Sequence, residues 1–397
     1  MPDHDKIPFG TLVRFSASVS AESAKGTSAT WSLIVPGRKT RQLGKSLAIT
    51  YVPAADLEGR TITVRSQLTE PHSSAIDAEI DVVSASVVTP PTVPVEVALA
   101  PGWTKGATHH GASIDRAYEF LVGRPHVWSN KKGVIVSRGL ALASGDSQFG
   151  YDPEDYPELG HWAQVFACST DVEGGGAFEA VNSYDSASFT FGLIQFAANA
   201  WNDNFHLLLR MALQRFPDEA ACYFPELRVH ANGIDLERRA DLKKDIWTLI
   251  TDKTGKKTTG LQLFIKPLPL EVTSSEVLFA ARMIHWTRAQ PGLRGLMVEL
   301  AVRRARSNFK DVATALDGKG IAVCAAVFDT RLQGRGGKTA IKKIVVALKS
   351  GNPLDGVLAI RSGTKGEPER LAKLKTKIQD RFGGSNVHYD AKTNELK

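Results

Sequence analysis

Apolar and polar residues alternate along the first ninety positions of the chain. The segments 11–18 (TLVRFSAS), 29–35 (ATWSLIV), 47–52 (LAITYV), 61–67 (TITVRSQ) and 78–83 (AEIDVV) put successive side chains on opposite faces, with glycine, proline and charged residues between the segments. A period of two in short, regularly spaced runs is the pattern of half-buried strands. It predicts an all-β sandwich over residues 1–87.

The pattern then breaks. Residues 88–102 (VTPPTVPVEVALAPG) carry four prolines, which interrupt any helix or central strand and favour an extended linker. Beyond the linker the period changes to that of helices. Ser113 can cap a helix with Ile114, Ala117, Tyr118, Leu121 and Val122 on one face, and Trp201, Phe205, Leu208, Leu209, Ala212 and Phe216 form a second stripe stopped by Pro217. Helices are also expected over 277–286 and 293–305 with Pro291 between them, over the apolar run 320–328 (GIAVCAAVF), and through Leu371, Leu374, Ile378 and Phe382. The expected fold class is multidomain: a β-sandwich (1–87), a linker (88–102), and a mainly α domain with a small β-hairpin (103–397). The strand spacing of the first part resembles the immunoglobulin-like modules of bacterial surface and secretion proteins.

Composition adds limits. The 397 residues are 43% apolar and 23% charged, ordinary for a globular protein. Cys168, Cys222 and Cys324 lie far apart and form no CxxC, so they are expected as reduced, buried thiols without a disulfide. No run of about 18 apolar residues occurs, and the opening MPDHDKIPFG lacks the charged and apolar regions of a secretory signal. A soluble protein made in the cytoplasm is expected, and any target in the periplasm or cell wall would be reached by another delivery route. His109 and His110 sit in a Gly-rich stretch with no HExxH or comparable spacing, so no metal and no cofactor are expected. The stretch Arg335-Gly-Gly-Lys-Thr339 lacks the first glycine of a phosphate loop.

Net charge is +7, and residues 331–397 hold 15 Lys and Arg against 6 Asp and Glu. A basic surface attracts polyanions, among them nucleic acid, anionic lipid and the carboxylate-bearing bacterial wall.

Candidate chemistry concentrates in residues 161–196. In HWAQVFACSTDVE (161–173), Trp162, Val165, Phe166 and Val172 fall at helical spacing, so Glu173 is expected at the end of a partly buried helix that Gly174, Gly175 and Gly176 terminate. A carboxyl at the negative end of a helix, among apolar neighbours, is favoured in its neutral form, as a general acid requires. Residues 178–184 (FEAVNSY) and 188–196 (SFTFGLIQF) alternate as the arms of a hairpin, with Asp185 at its turn as the more solvated, ionised partner. Glu179 competes with Glu173 for the acid role. Asp185 can equally serve as an Asx-turn residue, Thr190 as a strand residue and Gln195 as a polar turn residue. Tyr184, Trp162, Trp201 and Trp286 are either cleft or core aromatics.

A Glu closing a helix, glycines, a short hairpin bearing an Asp, and Gly192-Leu-Ile-Gln195 resemble the lysozyme-like superfamily, which includes goose-type lysozymes and soluble transglycosylases. The stretch Asp185-Ser-Ala-Ser-Phe-Thr190-Phe-Gly-Leu-Ile-Gln-Phe196 is similar to the chitosanase version, and Val327-Phe-Asp329-Thr-Arg-Leu-Gln333 to a later chitosanase signature. The resemblance implies a glycoside hydrolase with Glu173 as acid, Asp185 as base and Thr190 helping to hold the water. Tyr184, Gln195 and Asp329 would contact substrate. Carboxyls about 6.5–9.5 Å apart would give inversion. The 12-residue interval from Glu173 to Asp185 is shorter than chitosanases usually show.

The positive charge repels chitosan and attracts peptidoglycan. The expectation is therefore a muramidase acting as an antibacterial wall-degrading effector, as in type VI secretion, or as a phage endolysin. Its partners would be peptidoglycan, an immunity protein and a component of the secretion machine, with no nucleic acid or membrane partner. A chitosanase and a non-catalytic component of a phage tail or secretion particle are the alternatives.

Overall fold

The alternating segments form strands. The computed structural model describes residues 5–8, 13–16, 29–45, 48–68, 75–83, 113–115, 120–129, 135–142, 147–173, 175–184, 187–200, 203–225, 227–229, 236–238, 249–251, 255, 257–268, 272–333, 338–362 and 367–397. The linker 88–102, His109, His110, Asp185, Trp201 and residues 335–337 lie outside the described residues.

Along the chain run β1 (Asp5–Pro8), β2 (Val13–Ser16), β3 (Ala29–Ile34), β4 (Arg41–Lys45), β5 (Ala48–Tyr51), β6 (Thr61–Leu68) and β7 (Ala75–Val83), then β8 (Ser113–Asp115), β9 (Phe120–Ser129) and β10 (Ile135–Leu142). Helices α1 (His161–Val165) and α2 (Ala167–Glu173) precede the short strands β11 (Val181–Asn182), β12 (Thr190–Phe191) and β13 (Phe196–Ala197). Next come α3 (Asn204–Arg215), α4 (Pro217–Tyr223), the strand pairs β14 (Leu227–Val229) with β15 (Leu236–Arg238) and β16 (Leu249–Thr251) with β17 (Lys257–Thr259), then α5 (Gly260–Ile265) and α6 (Ser274–Ala289). The chain closes with α7 (Pro291–Lys310), α8 (Ala313–Leu316), α9 (Ile321–Leu332), α10 (Lys338–Leu348), α11 (Pro353–Ala359), α12 (Glu367–Phe382) and the hairpin β18 (Tyr389–Asp390) with β19 (Glu395–Leu396). The architecture is thus sheet-rich toward the N-terminus and helical toward the C-terminus.

Two compact units divide the chain: Met1–Phe149 with Phe178–Leu296, and Gly150–Ala177 with Met297–Lys397. In the first, β1, β7, β6, β3 and β4 form a five-stranded sheet, parallel between β1 and β7 and antiparallel elsewhere, while β2 pairs with β5. Trp31, Leu33, Ile62, Val64, Ile80 and Val82 point into one core, against which Phe15 of β2 and Ile49 of β5 pack. Each fully buried aliphatic side chain contributes about 1.5–3 kcal/mol.

A second sheet of the same unit has the order β13-β12-β11-β10-β9-β8. The helix expected from Ser113 through Val122 is replaced by β8 and β9. Short apolar runs fit either period, and pairing of β9 with β10 decides the outcome, with Val122 and Leu140 both buried. Beneath β12, Phe189 and Phe191 meet Phe205 of α3, and Phe189 stands edge-on to Phe279 of α6 at 5.4 Å.

In the second unit the apolar helix α9 is surrounded by α1, α2, α11 and α12. Leu371, Leu374, Ile378 and Phe382 of α12 are buried, as their spacing predicts. The helix expected over 161–173 is broken at Phe166, which caps α1 and whose fully buried ring packs against Tyr151 and against Phe328 of α9. Cys168 and Cys324 are buried, whereas Cys222 is exposed, contrary to expectation, because α4 turns it outward while burying Ala220 and Tyr223. All three are free thiols.

Candidate functional site

Among the described residues the hairpin around position 185 is shorter than the sequence alternation suggests, because only Val181–Asn182 and Thr190–Phe191 pair. Its two arms are held at the points where they leave the sheet. On one side the Ser183 hydroxyl accepts the Leu140 N–H at 2.7 Å and donates to Glu276. Lys266 Nζ donates to the Ser183 carbonyl at 2.8 Å and lies 3.2 Å from Glu276 Oε2. Ser183, Lys266 and Glu276 are all buried. Burial raises the Glu276 carboxyl above its usual range, against the lowering effects of Lys266 and the Ser183 hydroxyl. Close packing here depends on Gly139: a Cβ at that position would stand 2.4 Å from the Ser183 carbonyl oxygen and 2.6 Å from Lys266 Nζ.

On the other side the Ala187 carbonyl accepts from Gln262 Nε2 at 3.1 Å. Gln262 is fixed in turn by a capping box with Thr259 at the start of α5. Tyr184 donates its N–H to Asn182 Oδ1 at 3.2 Å, so the chain enters the turn through a side-chain-to-backbone bond typical of Asn.

Thr190 and Gln195 are brought together. Thr190 Oγ1 donates to Gln195 Oε1 at 2.7 Å, with the Asn182 carbonyl at 3.2 Å as a second acceptor. Gln195 adopts φ 53°, left-handed for a residue with a side chain, and follows Gly192 at φ 80°. A non-glycine residue in that region costs about 1 kcal/mol or more. Behind the turn, the Ala198 carbonyl accepts from Thr259 Oγ1 at 3.0 Å and from His206 Nε2 at 3.1 Å. Burial pushes the His206 imidazole down to about 4. Its neutral form with hydrogen on Nε2 fits the carbonyl partner.

Glu179 lies in a turn outside the hairpin ladder. Its carboxylate is fully buried and accepts from the Gln148 N–H at 2.9 Å, the Phe149 N–H at 3.1 Å and the Arg288 guanidinium at 3.1–3.2 Å. Gln148 extends this cluster into the N-terminal region: its side-chain amide accepts the Val52 N–H at 3.1 Å and donates to the Val52 carbonyl at 2.9 Å.

Glu173 closes α2, and Gly175 and Gly176 follow in the left-handed region at φ 62° and 72°. Asp329, on α9 of the same unit, is fully buried and held by Arg370 Nη2 at 2.6 Å and Arg361 Nη1 at 3.2 Å. Glu173 and Asp329 therefore belong to the second unit, and Glu179, Tyr184, Thr190 and Gln195 to the first. Trp162 and Trp286 are buried core aromatics.

The residues that sequence reasoning missed are Ser183, Lys266, Glu276 and Gln262. Lys266 and Glu276 are ten positions apart around Pro267 and Pro269, with no spacing that marks an ion pair. Among the described residues, no group of three or more His, Cys, Asp or Glu side chains is placed to hold a metal ion, and no helix is long and apolar enough to cross a membrane. No protein-family model, curated protein or solved structure matches the chain.

Proposed function

We propose that this chain is a glycoside hydrolase that cleaves the glycan strands of peptidoglycan, with an immunoglobulin-like N-terminal part and a lysozyme-like catalytic part. Glu173 protonates the leaving glycosidic oxygen, and Asp185 takes a proton from the attacking water. The observation that carries this reading is the Thr190–Gln195 turn. With its one proton directed to Gln195 at 2.7 Å, Thr190 has lone pairs left to accept a hydrogen bond from water. A water that donates to both Thr190 and Asp185 has its own lone pair aimed in one direction. The strained backbone of Gln195 supports a functional purpose for that turn, since strain persists where the surroundings enforce it. The positive charge of the chain favours an anionic wall polymer over a cationic polysaccharide.

The test is digestion of purified sacculi, with released muropeptides read by mass spectrometry. Wild-type protein is expected to release products with new reducing ends, and Glu173→Gln to lower the rate by about 10²–10⁴-fold. Thr190→Val is expected to reduce kcat by about tenfold with little change in KM. Undigested sacculi with wild-type protein, or full activity in Glu173→Gln, would overturn the proposal.

A further inference from the structure

A groove of about 510 Å³ lies in the second unit, and none of the residues that line it is named above as acid, base or water holder. Its wall is one face of α7: Val302, Arg303, Arg306 and Lys310 recur at helical spacing. Leu159, from the turn before α1, and Asn394, from the C-terminal hairpin, complete it.

Cations outnumber carboxylates in this lining, with Arg303, Arg306 and Lys310 against Glu299. Arg306 is held by Glu395, with Nη2 at 2.8 and 2.9 Å from the two carboxylate oxygens, while its guanidinium lies 5.0 Å from the Trp162 ring centroid. Trp162 Nε1 donates to the same carboxylate at 2.6 Å. This contact fixes Arg306 in place and its Nε is buried, so the accessible charge of the groove rests on its neighbours along α7. Arg303 and Lys310 form no ion pair among the described residues. Asn394 Oδ1 accepts the Tyr389 hydroxyl at 2.7 Å, which leaves its Nδ2 to donate. The available groups are thus cations and N–H donors over a partly apolar floor of Leu159 and Val302. Glu299, at one end of the groove, disfavours an anion there and gives the site a direction.

We propose that this groove binds an extended acidic peptide segment. Arg303 and Lys310 are seven residues apart, about 10 Å along the helix axis. That distance matches carboxylates three residues apart on an extended chain of polyproline II form, whose three-residue turn of about 9 Å puts them on one side. The apolar floor suits the aliphatic stems of acidic side chains better than a bare inorganic anion. The groove lies in a volume range that holds several residues. The assignment is independent of the hydrolase reading, and its test measures binding alone.

The full chain is titrated with fluorescently labelled hexaglutamate at about 50 mM salt, where charge pairing is little screened, and with tripolyphosphate as competitor. Wild-type protein is expected to bind hexaglutamate. Arg303→Gln/Lys310→Gln should weaken binding at least tenfold, as should the separate variant Asn394→Asp. Lys342→Gln/Lys343→Gln, which removes the same charge from the exposed face of α10, should bind as wild type does. Equal losses in the α10 control would reduce the effect to net charge and overturn the proposal. Undiminished binding in the groove variants would do the same, as would no binding of hexaglutamate by wild type or preference for tripolyphosphate.

Discussion

Glu179 and Glu276 are both fully buried carboxylates of the first unit, and each faces a cation, but their surroundings differ. Glu179 is met by two backbone N–H groups and a guanidinium that donates through two nitrogens. Glu276 has a lysine ammonium, one serine hydroxyl and a lesser contribution from the Thr273 backbone, and its Oε2 makes no hydrogen bond of good geometry although Lys266 Nζ is 3.2 Å away. A buried charge is offset only as far as fixed donors replace the lost water. Glu179 therefore anchors distant segments, whereas Glu276 keeps a carboxyl that burial holds above its ordinary range.

The comparison is broken most severely at Glu179. Glu179→Ala removes the buried carboxylate that accepts from Arg288 and from two backbone N–H groups and is expected to lower unfolding free energy by about 3–5 kcal/mol, measured by urea denaturation. Gly139→Ala attacks the other cluster by forcing a methyl group against the Ser183 carbonyl, and overpacking of this kind costs about 1–3 kcal/mol. If the melting temperature of Gly139→Ala equals that of wild type, the close packing around Lys266 is not what fixes the hairpin.

A pH series sharpens the contrast further. Because the folded carboxyl of Glu276 lies above its unfolded value, the folded state binds the proton more tightly across the interval between the two. Acidification through that interval adds stability at this site, and the contribution disappears as pH rises through the folded value. The stability of wild type relative to Glu276→Gln should therefore increase as pH falls, and a flat difference would refute the assignment. The smallest effect is expected for the double replacement Lys266→Met/Glu276→Leu. Exchanging a buried ion pair for apolar side chains is often close to neutral, so a change within about 1 kcal/mol is expected, provided the Ser183 hydroxyl finds another acceptor.

What could be read in the sequence depended on how far apart the partners are. Alternation located β3, β6 and β7, because each strand's core-facing residues are set by its own neighbours in the chain. Thr190 and Gln195 are five residues apart and on one turn, so their association was foreseeable from a local motif. Glu179 was not legible in this way, since its backbone donor at Gln148 is 31 positions away and Arg288 is 109. Nothing in the alternation of residues 178–184 signals that one acidic side chain is drawn inward by such distant groups. β8 and β9 differ in cause: their partners are near in sequence, Ser129 facing Ile135 and Ile114 facing Leu121, but a short apolar run fits a helical and a strand period alike.

The bracket that Gln148 places around the Val52 peptide group bears on how such a protein could be recombined. A side-chain amide here satisfies both the N–H and the C=O of the residue that follows β5, so a buried backbone position of the N-terminal region is satisfied by a residue encoded after the proline-rich segment. A gene fusion that moved the sheet to a new host sequence without an equivalent amide would leave an N–H and a C=O of Val52 to seek water or a foreign strand. Inheritance of this module is therefore coupled to one glutamine beyond its apparent end.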